Sequence, residues 1–128
     1  MANNTSSKAA SSGKSMAALD ARTERRYMIG ANMNFAASEA YKLLRTNLLF
    51  SFSGAKNCRI IGMTSSFRGE GKSLTAINLA YTMAETGKKV LLIEGDMRLP
   101  TIATRLGLRS TPGLSNLLVG LNSVGEAV

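Results

Sequence analysis

The sequence predicts an α/β fold, a parallel sheet with flanking helices, of which these 128 residues form the N-terminal part. Three stretches carry that expectation. Cys58-Arg59-Ile60-Ile61-Gly62-Met63-Thr64 is a short apolar run that reads as a buried strand. Leu74 to Ala84 is apolar on more than one side, as a helix held between layers would be. Val90-Leu91-Leu92-Ile93 is an unbroken apolar run of the kind found in central parallel strands. Strand, helix, strand in that order is a right-handed crossover. Two parallel strands make only a marginal sheet, so further strands are expected beside them, from a larger domain.

The remaining elements follow in order. Residues 1–34 are rich in Ser, Asn, Ala and Gly and poor in large apolar side chains. They cannot bury enough surface to offset chain entropy and read as a mobile tail. Arg22, Arg25 and Arg26 form a small basic cluster there, read as solvated. Gly13-Lys14-Ser15 has no strand before it and is set aside. Residues 36–50 read as a helix, with Ala40, Leu43, Leu44, Asn47 and Leu48 at helical spacing. Glu39, Lys42 and Arg45 recur every three residues and make a charged stripe, which spacing alone reads as a solvated face. Residues 51–57 are a loop. Gly87 stands where a helix C-terminal cap is expected. Residues 100–106 read as a short helix with Pro100 near its start and Gly107 at its end. Thr111-Pro112-Gly113 is a turn, and Ser115 to Val119 a further short helix. The chain thus divides into a tail, 1–34, and the N-terminal part of one folded domain, 35–128.

Composition excludes several classes of function. There is no histidine and a single cysteine, Cys58, so His-based acid–base chemistry, zinc sites and internal disulfides are ruled out. Sixteen basic residues against eight acidic ones give a net charge of +8. Eleven of the basic residues lie in 35–128 without forming a dense run, and Phe plus Tyr total seven. A dispersed excess suits phosphate ligands, acidic partners or an anionic membrane surface, and argues against a dedicated nucleic-acid binder. No secretory signal and no apolar run of membrane-span length are present. A cytoplasmic location is expected, with any membrane link made through a partner.

Function concentrates in Ser66-Phe67-Arg68-Gly69-Glu70-Gly71-Lys72-Ser73, which lies between the first strand and the helix. A glycine-rich turn in that place, ending Gly-Lys-Ser, is the phosphate-binding P-loop arrangement (Walker A). Gly69 and Gly71 lack a Cβ, so the backbone can curve and bring its N–H groups near a phosphate. The helix N-terminus adds positive potential. Lys72 is placed to reach terminal phosphates, and Ser73 to offer its hydroxyl to Mg2+. Ser66 stands where the general pattern has Gly. The candidate nucleotide-binding residues are Ser66, Arg68, Gly69, Glu70, Gly71, Lys72, Ser73 and Leu74, and the fold class is P-loop NTPase-like. The crossover topology puts Glu94 and Asp96 at the carboxyl end of the second strand, the same sheet edge as the loop. Ser73, Glu94 and Asp96 are the candidate magnesium residues; Lys72 and Asp96 are the candidate catalytic ones.

Several motifs together resemble the bacterial tyrosine kinases, in particular the soluble autokinases of capsule and exopolysaccharide synthesis. They are Ser38-Glu39-Ala40-Tyr41-Lys42-Leu43-Leu44-Arg45-Thr46-Asn47, then Thr64 to Ser73, then Val90 to Pro100, then Thr111 to Leu118. The resemblance covers roughly residues 35–120. It implies a P-loop ATPase that uses ATP and Mg2+ to phosphorylate tyrosines in its own C-terminal tail, in trans within a homo-oligomeric ring. It also implies activation by a membrane-spanning modulator and a peripheral location at the inner face of the membrane. In the family a Glu-x-x-Arg-x-x-Arg helix motif joins subunits. Glu39, Lys42 and Arg45 occupy those places, which shifts the charged stripe from solvated face to expected subunit contact; lysine lacks the two-pronged fork of arginine. The family's Asp-x-Asp-x-Arg becomes Glu94-Gly95-Asp96-Met97-Arg98 here. A misplacement of about 1 Å in a catalytic carboxylate can cost on the order of a hundredfold in rate, so the extra methylene of Glu94 matters. Glu94 could instead hold a magnesium-bound water. Asp96 is the residue expected nearest the attacking hydroxyl. Arg68 replaces a common Pro, either adding charge near the phosphates or pointing to solvent.

The resemblance also implies a later magnesium-binding Asp and a C-terminal tyrosine cluster. Tyr27, Tyr41 and Tyr81 form no such cluster, so the 128-residue chain alone is expected to lack kinase activity. Two alternatives stand beside the kinase. One is a partitioning-type ATPase switch; such proteins usually carry an extra lysine at the second place of the loop, where this chain has Phe67. The other is a catalytically inert nucleotide-binding fragment.

Overall fold

The structure, a computed structural model, describes residue 28, residues 33–52, residue 54 and residues 59–128. The expected mobile tail, apart from residues 28, 33 and 34, lies outside the described residues. So do its arginine cluster, Gly13-Lys14-Ser15, most of the 51–57 loop and Cys58.

Five helices are present among the described residues: α1 (Phe35–Ser51), α2 (Lys72–Ala84), α3 (Ile102–Leu106), α4 (Leu114–Leu118) and α5 (Val124–Ala127). The first four match expected helices within two residues at either end. α1 starts because Asn34, in extended conformation, accepts a hydrogen bond from the Ala37 N–H through its side chain at 2.8 Å. α3 stops at Gly107, φ 69°, where Gly107 N–H donates to Thr104 O and Leu108 N–H to Ala103 O. That pair of bonds is a Schellman cap, and it requires a left-handed residue at its centre.

The expected parallel sheet does not form among the described residues. Residues 59–65 and 88–96 carry neither helix nor strand pairing. A strand is completed by ladder hydrogen bonds from a neighbour, and neither run has one here. The second run still shows the alternation of an extended chain covered on one side. Leu92 and Glu94 are half-buried, while Leu91 and Ile93 are 58% and 59% exposed. Leu92 and Val90 line an open apolar groove of about 240 Å³ with Ile77, Ala80 and Tyr81 of α2 and with Leu106 of α3.

The core is centred on α2. Ile77, Leu79 and Met83 are its buried apolar side chains, and Asn78 and Thr82 are fully buried beside them. Thr82 satisfies its hydroxyl within the helix, donating to Leu79 O at 2.9 Å and Asn78 O at 3.2 Å. α1 packs against α2, but on a different face from the one its spacing suggested. Leu43 is 63% exposed and Ala40 and Asn47 are exposed, while Tyr41, Arg45, Leu48 and Leu49 are half-buried. The physical reason lies at the far end of α2. Thr86 N–H donates to Met83 O, three residues back, and leaves the Thr82 carbonyl open. Arg45 Nη1 donates to that carbonyl at 2.8 Å and lies 3.9 Å from a Glu85 carboxylate oxygen. A guanidinium at a helix C-terminus meets both an orphan acceptor and the negative end of the dipole. That contact fixes the rotation of α1.

The chain re-enters the described region at Arg59, whose guanidinium sits 5.8 Å from the centre of the Phe52 ring, within cation–π range. At the other end, α5 was not expected, although its signal was present. Ser123-Val124-Gly125-Glu126 is a capping box: Glu126 accepts from Ser123 N–H at 2.7 Å and from the Ser123 hydroxyl at 2.9 Å. Those bonds, the backbone one foremost, hold the Glu126 carboxyl below its ordinary value of 4.5. The folded value is depressed, so this contribution to α5 is complete above the ordinary value and lost as pH falls through the folded one. Ser123→Ala removes only the hydroxyl. It should raise the Glu126 titration midpoint part of the way back, as read from the side-chain carboxyl carbon by NMR.

Candidate functional site

The loop from Ser66 to Gly71 is exposed and braced by its own side chains. Ser65 Oγ donates to Phe67 O at 3.1 Å, and Phe67 N–H donates to Glu70 Oε2 at 3.1 Å. Gly69 and Gly71 have φ of 88° and 86°, in the left-handed region. An L side chain at either would be strained by roughly 1–2 kcal/mol, although both have open space around the Cβ position. Gly71 is the N-cap of α2, and its carbonyl accepts from Thr75 N–H at 2.8 Å.

This cap geometry leaves the start of α2 open. No side chain hydrogen-bonds to its first turn, and no acidic residue lies in that turn. The N–H groups of Lys72, Ser73 and Leu74 are therefore the unpaired donors that begin any helix, at the positive end of the dipole. Lys72 is exposed and Ser73 half-buried beside them. Arg68 is exposed on the same loop. Chemically, this is a backbone cradle for an anion, with one ammonium and one hydroxyl at its rim.

The two acids occupy a separate turn. Asp96 is exposed, and its Oδ1 accepts from Leu99 N–H at 3.1 Å. Glu94 is half-buried, and its Oε2 accepts from Thr101 N–H at 2.8 Å and Ile102 N–H at 2.6 Å. Among the described residues no hydrogen bond or ion pair joins either acid to the loop, and no group of three His, Cys, Asp or Glu side chains is placed to hold a metal. Magnesium is commonly bound by one or two carboxylates with the rest of its shell from phosphate and water.

The charged stripe of α1 divides. Lys42 Nζ donates to Glu39 Oε1 at 2.8 Å on the surface. That bond, with the attraction between the two charges, raises the Lys42 value above the ordinary one. Arg45 is turned inward to the end of α2, an assignment that spacing did not suggest. An unpaired carbonyl at the last turn of a neighbouring helix leaves no mark in the sequence.

With this geometry in place, the comparisons with known proteins are specific. Over 91 residues the chain is 45% identical to the tyrosine-protein kinase YwqD of Bacillus subtilis (strain 168), a match covering 71% of this chain and 38% of that one. It is 37% identical over 91 residues to the tyrosine-protein kinase CpsD of Streptococcus agalactiae, covering 70% of this chain and 38% of that one. The chain thus spans less than two fifths of the length of each of these curated relatives. No family model and no solved structure matches it. Over the matched stretch the chain is a homologue of tyrosine-protein kinases. Its relatives include tyrosine-protein kinases named CpsD and CapB, and over the matched stretch the chain resembles that family. No helix of the described residues is long and apolar enough to cross a membrane.

Proposed function

We propose that this chain provides the nucleotide-binding part of an ATP-dependent protein-tyrosine autokinase acting in capsular or exopolysaccharide synthesis. The observation that carries the reading is the uncapped start of α2, preceded by left-handed Gly71 and followed by Lys72 and Ser73. The backbone from Ser66 to Leu74 wraps the phosphates. Lys72 places a point charge on them. Ser73 and Asp96 hold Mg2+, which neutralises charge on the phosphates when bound. Asp96, exposed at the tip of its turn, orients the attacking tyrosine hydroxyl or accepts its proton. Glu39 and Lys42, on the open face of α1, are the residues available for a subunit contact in a homo-oligomeric ring. Arg45 joins that contact only by leaving Thr82. A membrane-spanning modulator binds the whole protein and holds it at the inner face of the membrane. The alternative, a partitioning-type switch, has no structural observation in its favour.

Calorimetry of the chain with ATP and Mg2+ is expected to give one saturable site, and absence of heat with a folded chain would overturn the nucleotide reading. In a longer protein carrying this sequence, ATP should yield phosphotyrosine. Phosphate released to water without phosphotyrosine would transfer the assignment to an ATPase switch.

A further inference from the structure

Glu94 is the acid that departs from the family pattern, and its place in the structure accounts for its length. One carboxylate oxygen accepts from two successive amides, Thr101 N–H and Ile102 N–H, seven and eight residues downstream. These are the amides at the start of α3. The helix has no cap from the side chain of Thr101 and no acid in its own first turn. A remote carboxylate therefore does the work of an N-cap, at the positive end of the helix. It also closes a loop. Residues 95–100 run out and back between Glu94 and Thr101, folded further by Asp96 Oδ1 on Leu99 N–H and by Met97 N–H on Gly95 O. Asp96 sits on that loop. An aspartate at 94 would end about one bond length short of the two amides.

We propose that Glu94 is a positioning residue: it clamps the 95–100 loop against α3, so that Asp96 is presented from a fixed turn, and leaves magnesium to Asp96 and Ser73. The magnesium part rests on the nucleotide reading above; the clamp does not. The test therefore has two arms on the 128-residue chain. The first is amide hydrogen exchange at Thr101 and Ile102 without nucleotide. Glu94→Gln keeps an acceptor oxygen of the right reach and should stay within a few-fold of the parent. Glu94→Asp and Glu94→Ala should exchange about tenfold faster, the size expected for a lost N-cap. Unchanged exchange in Glu94→Asp would overturn the clamp, and that variant keeps the charge should Glu94→Ala fail to fold. The second arm is the gain in ATP affinity on adding Mg2+ over EDTA. Glu94→Gln should keep this gain and Asp96→Asn should lose most of it. Loss in Glu94→Gln equal to that in Asp96→Asn would make Glu94 a ligand and overturn the positioning role. If ATP binds neither variant nor parent, the nucleotide reading fails while the exchange arm still decides the clamp.

Discussion

Lys72→Met should lower the affinity of the chain for ATP by roughly 10- to 150-fold, the loss of one hydrogen bond from a charged donor, about 1.5–3 kcal/mol. The fold should be untouched. Lys72 is exposed at the first position of α2, and among the described residues neither ion pair involves it. Methionine and lysine have similar helix propensity, so the substitution removes a cation without disturbing a turn. It also removes a positive charge from the positive end of a helix, which if anything eases α2 itself. The loss is therefore assignable to the ligand. Lys72→Arg separates charge from geometry: it should recover part of the affinity, since the charge remains but the planar fork is larger than the compact ammonium. Calorimetry at two salt concentrations checks the origin, because a contribution from an exposed cation shrinks as salt rises. Wild-type affinity in Lys72→Met would show that ATP, if bound, does not bind at this loop.

The loop was the most legible part of the site, because its chemistry is local. Two glycines, a lysine and a serine in fixed order between apolar runs determine a left-handed N-cap and an open helix start, and the structure has both. The helices were legible for the same reason; Gly107 and the apolar pattern of α2 act within a few residues. What the sequence left hidden involves distance along the chain. Arg45 finds a carbonyl 37 residues away, and only because the last turn of α2 tightens and frees it. Glu94 finds amides seven and eight residues on, a contact that the topology argument naming it a candidate magnesium residue does not reveal. The sheet is the opposite case. The apolar runs 58–64 and 90–93 have strand composition, yet pairing needs a neighbour, and their exposed Ile60, Leu91 and Ile93 mark where one would lie. α5 was legible but unread: a Ser and a Glu three apart were enough.

Leu79→Ala should lower the stability of the chain by about 2–5 kcal/mol, which is the usual range for emptying a buried leucine site. Leu79 is 4% exposed and, among the described residues, shares the core with two other buried apolar side chains, Ile77 and Met83. A domain's whole stability is about 5–15 kcal/mol, so one such loss removes a large part of it. At about 4–8 °C per kcal/mol for a domain of this size, the thermal midpoint followed by helix circular dichroism should fall by about 8 °C or more. The control is Leu43→Ala on α1. Leu43 is 63% exposed, and surface changes of that kind usually stay within about 0.5 kcal/mol. Equal effects at the two positions would mean that α2 is not the packed element. The same pair of measurements separates packing from binding. Lys72 and Leu79 lie on one helix, at its open end and in its buried middle. Lys72→Met should change ATP affinity and leave the midpoint of the free chain in place. Leu79→Ala should lower the midpoint and, well below it, leave ATP affinity unchanged, because Leu79 lies about two turns along the helix from the loop amides. A Leu79→Ala chain that stays folded but no longer binds ATP would mean that the loop depends on the packing of α2 for its shape, and that the site extends down the helix rather than ending at its first turn.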